Sequence, residues 1–256
     1  MLAGHTYAVT GDRIDCSFSV NDGIMGDTVY AYNREISLKA SGDAPIELVT
    51  IRKNGRVIAA SAPEPRNDFN RENRYVLRIE MGWGNSLELF HWEGHLALQD
   101  GKILRVQPYW RGRNALSPSD SDADNKDATN ALNNYWNNNE KEADFFCDTV
   151  CNRSTLHPQT SSYVFEVEAR PNSSVLIEIN GIKKIFTIKE LTEHGYAVHI
   201  KPWHSEAFKV HTAVPKSVCI AKLTLSDAKE LECDRYQAEV VQTNGCRAFV
   251  SPIYVF

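Results

Sequence analysis

Two-residue alternation of apolar and polar side chains is the constraint that decides the fold class. Ile14, Cys16, Phe18 and Val20 share one face, with Asp15, Ser17 and Ser19 on the other. Ile36, Leu38 and Ala40 repeat the pattern, as do Tyr75, Leu77, Ile79 and Met81. Tyr163, Phe165, Val167 and Ala169 follow, and then Val175, Ile177 and Ile179. Successive strand side chains point to opposite faces, so each run predicts a half-buried β-strand. Both ends of the chain are strand-like as well, around Tyr7-Ala8-Val9 and around Ala248-Phe249-Val250 and Ile253-Tyr254-Val255.

Turn chemistry separates these runs. Asn54-Gly55, Asn180-Gly181 and Asn244-Gly245 each supply two residues that tolerate positive φ, which a type I′ hairpin turn requires. Asp100-Gly101 adds a fourth hairpin between 96–98 and 103–106. Helical signal is scarce. Residues 189–194, stopped by Gly195, predict a short helix, and 128–136 offer a second. The expected class is all-β, built from antiparallel β-sandwich units. Residues 117–153 form a long polar loop on this reading, because 117–139 are rich in Ser, Asp and Asn.

The net charge of -5 gives no electrostatic case for nucleic acid. No apolar run is long enough to span a bilayer. Of the six cysteines, Cys16, Cys219 and Cys246 fall on apolar strand faces, where a thiol behaves as a small hydrophobe. Cys147-Asp148-Thr149-Val150-Cys151 is the one close pair. Its three-residue gap departs from zinc-ribbon spacing, which leaves buried thiols as the simpler reading and a disulfide or shared metal as the alternative.

Candidate chemistry is confined to a few clusters. His91, Glu93 and His95 lie on one face of a predicted strand, where two imidazoles and a carboxylate could meet a divalent metal. Phe90, Trp92, Leu96 and Leu98 form the apolar remainder, so the His/Glu face is equally the solvated side of an ordinary strand. Asp120, Asp122 and Asp124 resemble the start of a calcium loop, but Asn125 and Ala131 stand where an EF-hand needs Gly and Glu. In Tyr109-Trp110-Arg111-Gly112-Arg113, Trp110, Arg111 and Arg113 could stack on a sugar or clamp an anion, or could anchor a loop. Trp203 is a further candidate platform. No nucleophile elbow, phosphate-cradling glycine loop or paired-carboxylate motif specifies a reaction, so no catalytic residue, metal ligand or cofactor is assigned.

A series of short motifs in fixed order resembles the C-terminal β region of PHP-type (polymerase and histidinol phosphatase) metallohydrolase-like proteins. It begins with residues 5–14, Phe18-Ser19-Val20-Asn21 and Met25-Gly26, with Val9 where the pattern prefers Thr. It continues through 46–58, Met81-Gly82-Trp83-Gly84 and Trp92-Glu93-Gly94-His95-Leu96. Ser154-Thr155-Leu156-His157-Pro158, Val210-His211-Thr212-Ala213-Val214-Pro215 and Ser251-Pro252-Ile253-Tyr254-Val255 complete it. In that family the opening segment adjoins the metal-binding catalytic domain, whose His and Asp ligands have no counterpart here.

The resemblance implies a topology and a role. Residues 1–65 and 227–256 would form one discontinuous immunoglobulin-like sandwich, with 66–226 inserted as a second β unit. The chain would be a non-catalytic accessory module, with a PHP-type catalytic domain as its partner. A carbohydrate- or polymer-binding sandwich, with a glycan as partner, is the alternative reading, and a stand-alone metal-dependent hydrolase is the third.

Overall fold

The computed structural model describes residues 4–63, 73–84, 88–110, 134–150, 160–201 and 206–256. The alternating runs become strands. The first group is β1 (Tyr7–Val9), β2 (Ile14–Val20), β3 (Gly23–Ile24), β4 (Thr28–Val29), β5 (Asn33–Gly42), β6 (Ile46–Lys53) and β7 (Arg56–Ser61). The second is β8 (Arg74–Gly82), β9 (Phe90–Leu98), β10 (Gly101–Tyr109), β11 (Tyr135–Asn138), β12 (Glu142–Thr149), β13 (Ser161–Ala169), β14 (Ser174–Ile179), β15 (Ile182–Thr187), the helix α1 (Ile188–Glu193), β16 (Tyr196–His199), β17 (Ala207–Val210) and β18 (Val214–Pro215). The last is β19 (Ile220–Ala228), β20 (Asp234–Gln242), β21 (Arg247–Val250) and β22 (Ile253–Val255). The protein is all-β, with antiparallel sandwich-like sheets.

The chain divides into two units, one of Met1–Asn67 with Lys216–Phe256 and one of Asp68–Pro215. Residues 220–226 belong to the first because β19 pairs with β5 along nine positions, from Ile220↔Ser41 to Ala228↔Asn33. In this unit β20 is the hub of a seven-stranded sheet, flanked by β6 on one edge and by β21 and β22 on the other. The four-stranded sheet β19-β5-β2-β3 supplies the facing layer. Ile14, Phe18, Val20, Ile36 and Leu38 from the smaller sheet share a core with Val49, Ile51, Tyr236 and Val240 from the larger. Each such side chain contributes about 1.5–3 kcal/mol when fully buried. The two ends of the chain meet directly: β1 pairs with β21 as Tyr7↔Val250, Ala8↔Phe249 and Val9↔Ala248.

A buried ion cluster ties the strands of this unit together. Arg34 and Asp234, both fully buried, are paired. Lys53 lies 2.8 Å from Asp227 and 3.7 Å from Asp234. The Tyr236 hydroxyl donates to Asp227 at 2.5 Å. Burial alone would raise Asp234, but hydrogen bonds from the Glu230 amide, Asn54 and Arg34 outweigh it and hold the carboxyl well below the usual range.

The second unit packs the six-stranded sheet β10-β13-β8-β17-β16, with β18 beside β8, against the five-stranded sheet β11-β12-β9-β14-β15. Trp92, Leu96, Phe145 and Ile177 of the smaller sheet meet Leu77, Ile79, Tyr163 and Phe165 of the larger. The Trp92 indole N–H donates to the Thr149 hydroxyl at 2.8 Å, which satisfies its one polar atom in the core. Thr187 caps α1 in a reciprocal capping box with Glu190.

Four sequence expectations change. Asn54-Gly55 and Asn180-Gly181 have positive φ at both residues, as type I′ turns require, whereas at Asn244-Gly245 the glycine alone does. Asp100-Gly101 makes no hairpin, because β9 and β10 belong to different sheets. A Cβ on Gly101 would sit 2.8 Å from the Glu168 carbonyl oxygen, so its glycine serves a close approach to β13. The helix expected over 128–136 is a strand where it is described: β11 begins at Tyr135.

The loop expected over 117–153 likewise gives way, over 134–150, to the β11–β12 hairpin. Asn139 builds its turn, accepting the Lys141 and Glu142 amides at 2.7 and 2.9 Å. The asparagine richness there marks a side-chain-built turn between strands rather than a long loop.

Candidate functional site

The outer face of the five-stranded sheet carries a groove of about 620 Å³. Register alone decides which side chains meet there, since directly opposed residues in a ladder share a face. One row runs Asn137, Asp144, His95, Glu178 and Lys183, one residue from each of β11, β12, β9, β14 and β15. The neighbouring row runs Tyr135, Phe146 and Glu93.

Hydrogen bonds fix both imidazoles. His95 Nδ1 lies 2.7 Å from Asp144 and His91 Nδ1 lies 2.6 Å from Asp148. An ionised carboxylate only accepts, so opposite one the imidazole Nδ1 carries the proton in each pair. Asp148 is fully buried, and its Oδ2 has no hydrogen-bond partner among the described residues. Asn180, at the turn beyond β14, accepts the Glu93 amide at 2.8 Å and donates to the His91 carbonyl at 3.0 Å. The side chain thereby extends the ladder past the end of β14.

Aromatic rings stand beside this polar row. Tyr135 stacks on Phe146 with centroids 5.7 Å apart and planes 12° apart, and His91 lies over Phe146 at 6.3 Å. The Tyr135 backbone carbonyl accepts the Tyr163 hydroxyl at 3.1 Å, which fixes the edge strand against the core. Behind the groove, Gly94 makes room for Phe145, because a Cβ there would overlap the ring.

His91, Glu93 and His95 share the outward face as the alternation predicts, but they do not form a metal centre. A strand rises about 3.3 Å per residue, which sets the two histidines about 13 Å apart. Each is engaged by its own carboxylate, and among the described residues no group of three or more His, Cys, Asp or Glu side chains is placed to hold a metal ion. Trp110 is half-buried against the core of its unit, and its indole N–H donates to the Tyr163 hydroxyl at 3.0 Å. Arg111, Arg113, Trp203 and the aspartates of 120–124 lie outside the described residues. The five described cysteines are free thiols; Cys151 is outside the described residues.

The first unit has a different surface feature. Of the seventeen large hydrophobic side chains exposed among the described residues, twelve belong to this smaller unit. Tyr7 and Val9 are the most informative. They oppose Val250 and Ala248, which are buried, and so lie on the core-facing side of the sheet. Yet they remain 39% and 42% exposed. Tyr30 stacks on Phe256 at 5.6 Å, and Tyr30 and Tyr32 are largely exposed.

Comparisons with protein-family models, with curated proteins and with solved structures find no match to this chain.

Proposed function

We propose that the chain is a non-catalytic accessory β module of a PHP-type metallohydrolase-like protein, and that it docks on the catalytic domain through the β1 side of its first unit. The observation that carries this reading is the placement of Tyr7 and Val9. A core-facing edge strand normally has its inner side chains covered, and an exposed apolar strand edge invites a partner. In the proteins this chain resembles, the segment equivalent to β1 adjoins the catalytic domain. The edge of β1 away from β21 pairs with no described strand, so backbone donors and acceptors are available beside the two side chains.

The test is association in solution between this protein and a PHP-type catalytic domain, followed by calorimetry. The expected result is a complex that weakens at least roughly tenfold when Tyr7→Ser and Val9→Ser are combined, the loss of two apolar anchors. β1 is held to β21 by backbone ladder bonds, so the double variant keeps its fold, which circular dichroism checks. Equal binding by the wild type and the variant, or no binding by either, refutes the reading. A His/Asp-rich metallohydrolase domain encoded in frame upstream of Met1 supports it.

A further inference from the structure

The outer face of the five-stranded sheet holds more order than solubility demands. A solvated face needs only scattered polar residues, whereas here five polar side chains from five strands align in one row. Beside them, Tyr135 has one ring face on Phe146, and no described aromatic ring lies on the other. Tyr135 is 56% exposed, and β11 is the sheet's edge strand.

We propose that this groove is a binding site for a neutral oligosaccharide. One pyranose ring would lie on the free face of Tyr135, with the hydroxyls of the next ring on Asn137, Asp144, His95 and Glu178. The chemistry selects this ligand class. A sugar ring offers an apolar C–H face together with several O–H groups that donate and accept. Carboxylates accept such hydroxyls, and the Asn137 amide can both donate and accept.

An apolar ligand would have to lie on Asp144, Glu93 and Glu178 and desolvate them. An anionic glycan or nucleic acid would meet the same carboxylates, with Lys183 already 3.9 Å from Glu178. The groove volume of about 620 Å³ lies within the range of small-ligand sites, about 300–1,000 Å³. Much of the geometry is rigid: Asp144 fixes His95, Asn180 fixes the β9 backbone and Tyr163 fixes β11. This preorganisation lowers the entropic cost of binding.

The experiment is calorimetric titration of the whole chain with neutral hexasaccharides of the cello-, xylo-, manno- and laminari- series, with polygalacturonate as the anionic comparison. At least one neutral series is expected to bind. Tyr135→Ala and Glu178→Gln should each weaken binding by roughly tenfold or more, the loss of one stacked ring or one charged acceptor. Tyr135→Phe should retain binding within about threefold, because the stacking face is kept. If Tyr135→Ala disturbs β11, Glu178→Gln on β14 still decides the matter.

Absence of binding to every neutral series, binding that survives both substitutions, or a preference for polygalacturonate overturns the proposal. Tyr7→Ser with Val9→Ser lies in the other unit and should leave sugar binding unchanged, so this proposal and the docking reading fail separately.

Discussion

Replacing Asp234 by Asn preserves the shape of the side chain at the centre of the first unit's ion cluster and removes its charge. One carboxylate oxygen accepts from Arg34 and from the Glu230 amide at 2.9 Å. The other accepts from Asn54 at 2.6 Å and from the Leu231 amide at 3.1 Å. All four partners are donors, and an amide offers one accepting end only. Whichever way the introduced amide turns, two donors face its NH₂ group, and the buried Arg34 loses its counter-charge. Breaking one side of a buried pair costs about 3–5 kcal/mol, so the expected loss is about 4 kcal/mol.

The assay exploits the distribution of tryptophan. All five Trp residues lie within 68–215, so fluorescence reports on the second unit while far-UV circular dichroism reports on both. In urea, with a slope of about 2 kcal/mol per molar, the dichroism transition of the first unit should fall by about 2 M. The fluorescence midpoint should hold. Replacing the pair together, with Arg34→Met and Asp234→Leu, should not recover the loss, because the Asn54 side chain and the Glu230 and Leu231 amides would still lack their acceptor. A dichroism shift worth less than about 1 kcal/mol, or an equal shift in both signals, refutes the reasoning.

Other outcomes follow from the same structure. Gly94→Ala forces a methyl group into the Phe145 ring and should cost the second unit about 1–3 kcal/mol by overpacking, read as an earlier fluorescence transition. In Asp234 and Asp227, hydrogen-bond donors outweigh burial and depress both carboxyls below their ordinary value of 3.8. A depressed folded value gives stability that is complete above the unfolded value and lost as pH falls below it. The dichroism midpoint should therefore drop steeply below about pH 4 in the wild type and less steeply in Asp234→Asn.

Burial, helped by its hydrogen bond to Asp227, pushes the Tyr236 phenol up to about 12. Its stabilising contribution should be complete below the ordinary value of 10.0 and be lost as pH rises from there through about 12, read by phenolate absorbance in wild type against Tyr236→Phe. Burial, with Asp15 adjacent, likewise pushes the Cys16 thiol up to about 12, so native protein should alkylate at Cys16 far more slowly than unfolded protein at about pH 8, measured by mass spectrometry.

The fold class was legible because alternation is local. Trp92 as core and His91, Glu93 and His95 as the opposite face followed from a period of two within one strand, and the structure places them so. The groove was not legible, because its rows are products of non-local register. Asn137 and Glu178 come together only through Asp144 and His95, across β12 and β9. A one-residue slip in any of those ladders would turn its strand's side chains to the other face. One signal was present: Ala143, Phe145 and Cys147 alternate with Glu142, Asp144, Phe146 and Asp148. It marks β12, but the surrounding asparagines weigh toward loop when composition is averaged over the segment. Asp100-Gly101 misled in the opposite direction, since a turn dipeptide fixes local backbone and says nothing about which sheet the chain enters next.

The two units present their surfaces in different ways, and that difference bears on function. The first satisfies its charges internally, with Arg34, Lys53, Asp227 and Asp234 all paired among themselves, and shows aromatic and aliphatic side chains to its surroundings. A surface of that kind favours burial against another protein, where apolar area is removed from water. The second keeps its aromatic residues largely in the core and places ordered carboxylates, imidazoles and an amide on its outer sheet. Removing those groups from water against a flat apolar partner would cost more than it returns, whereas a polyhydroxylated ligand replaces each water contact with another hydrogen bond. The proposed docking through the first unit and the proposed ligand binding on the second would therefore draw on different free-energy terms. Salt provides the contrast, since screening weakens neither apolar burial nor neutral-sugar binding but does weaken exposed ion pairs. If added salt abolished either association, long-range charge rather than the contacts described above would have to be carrying it.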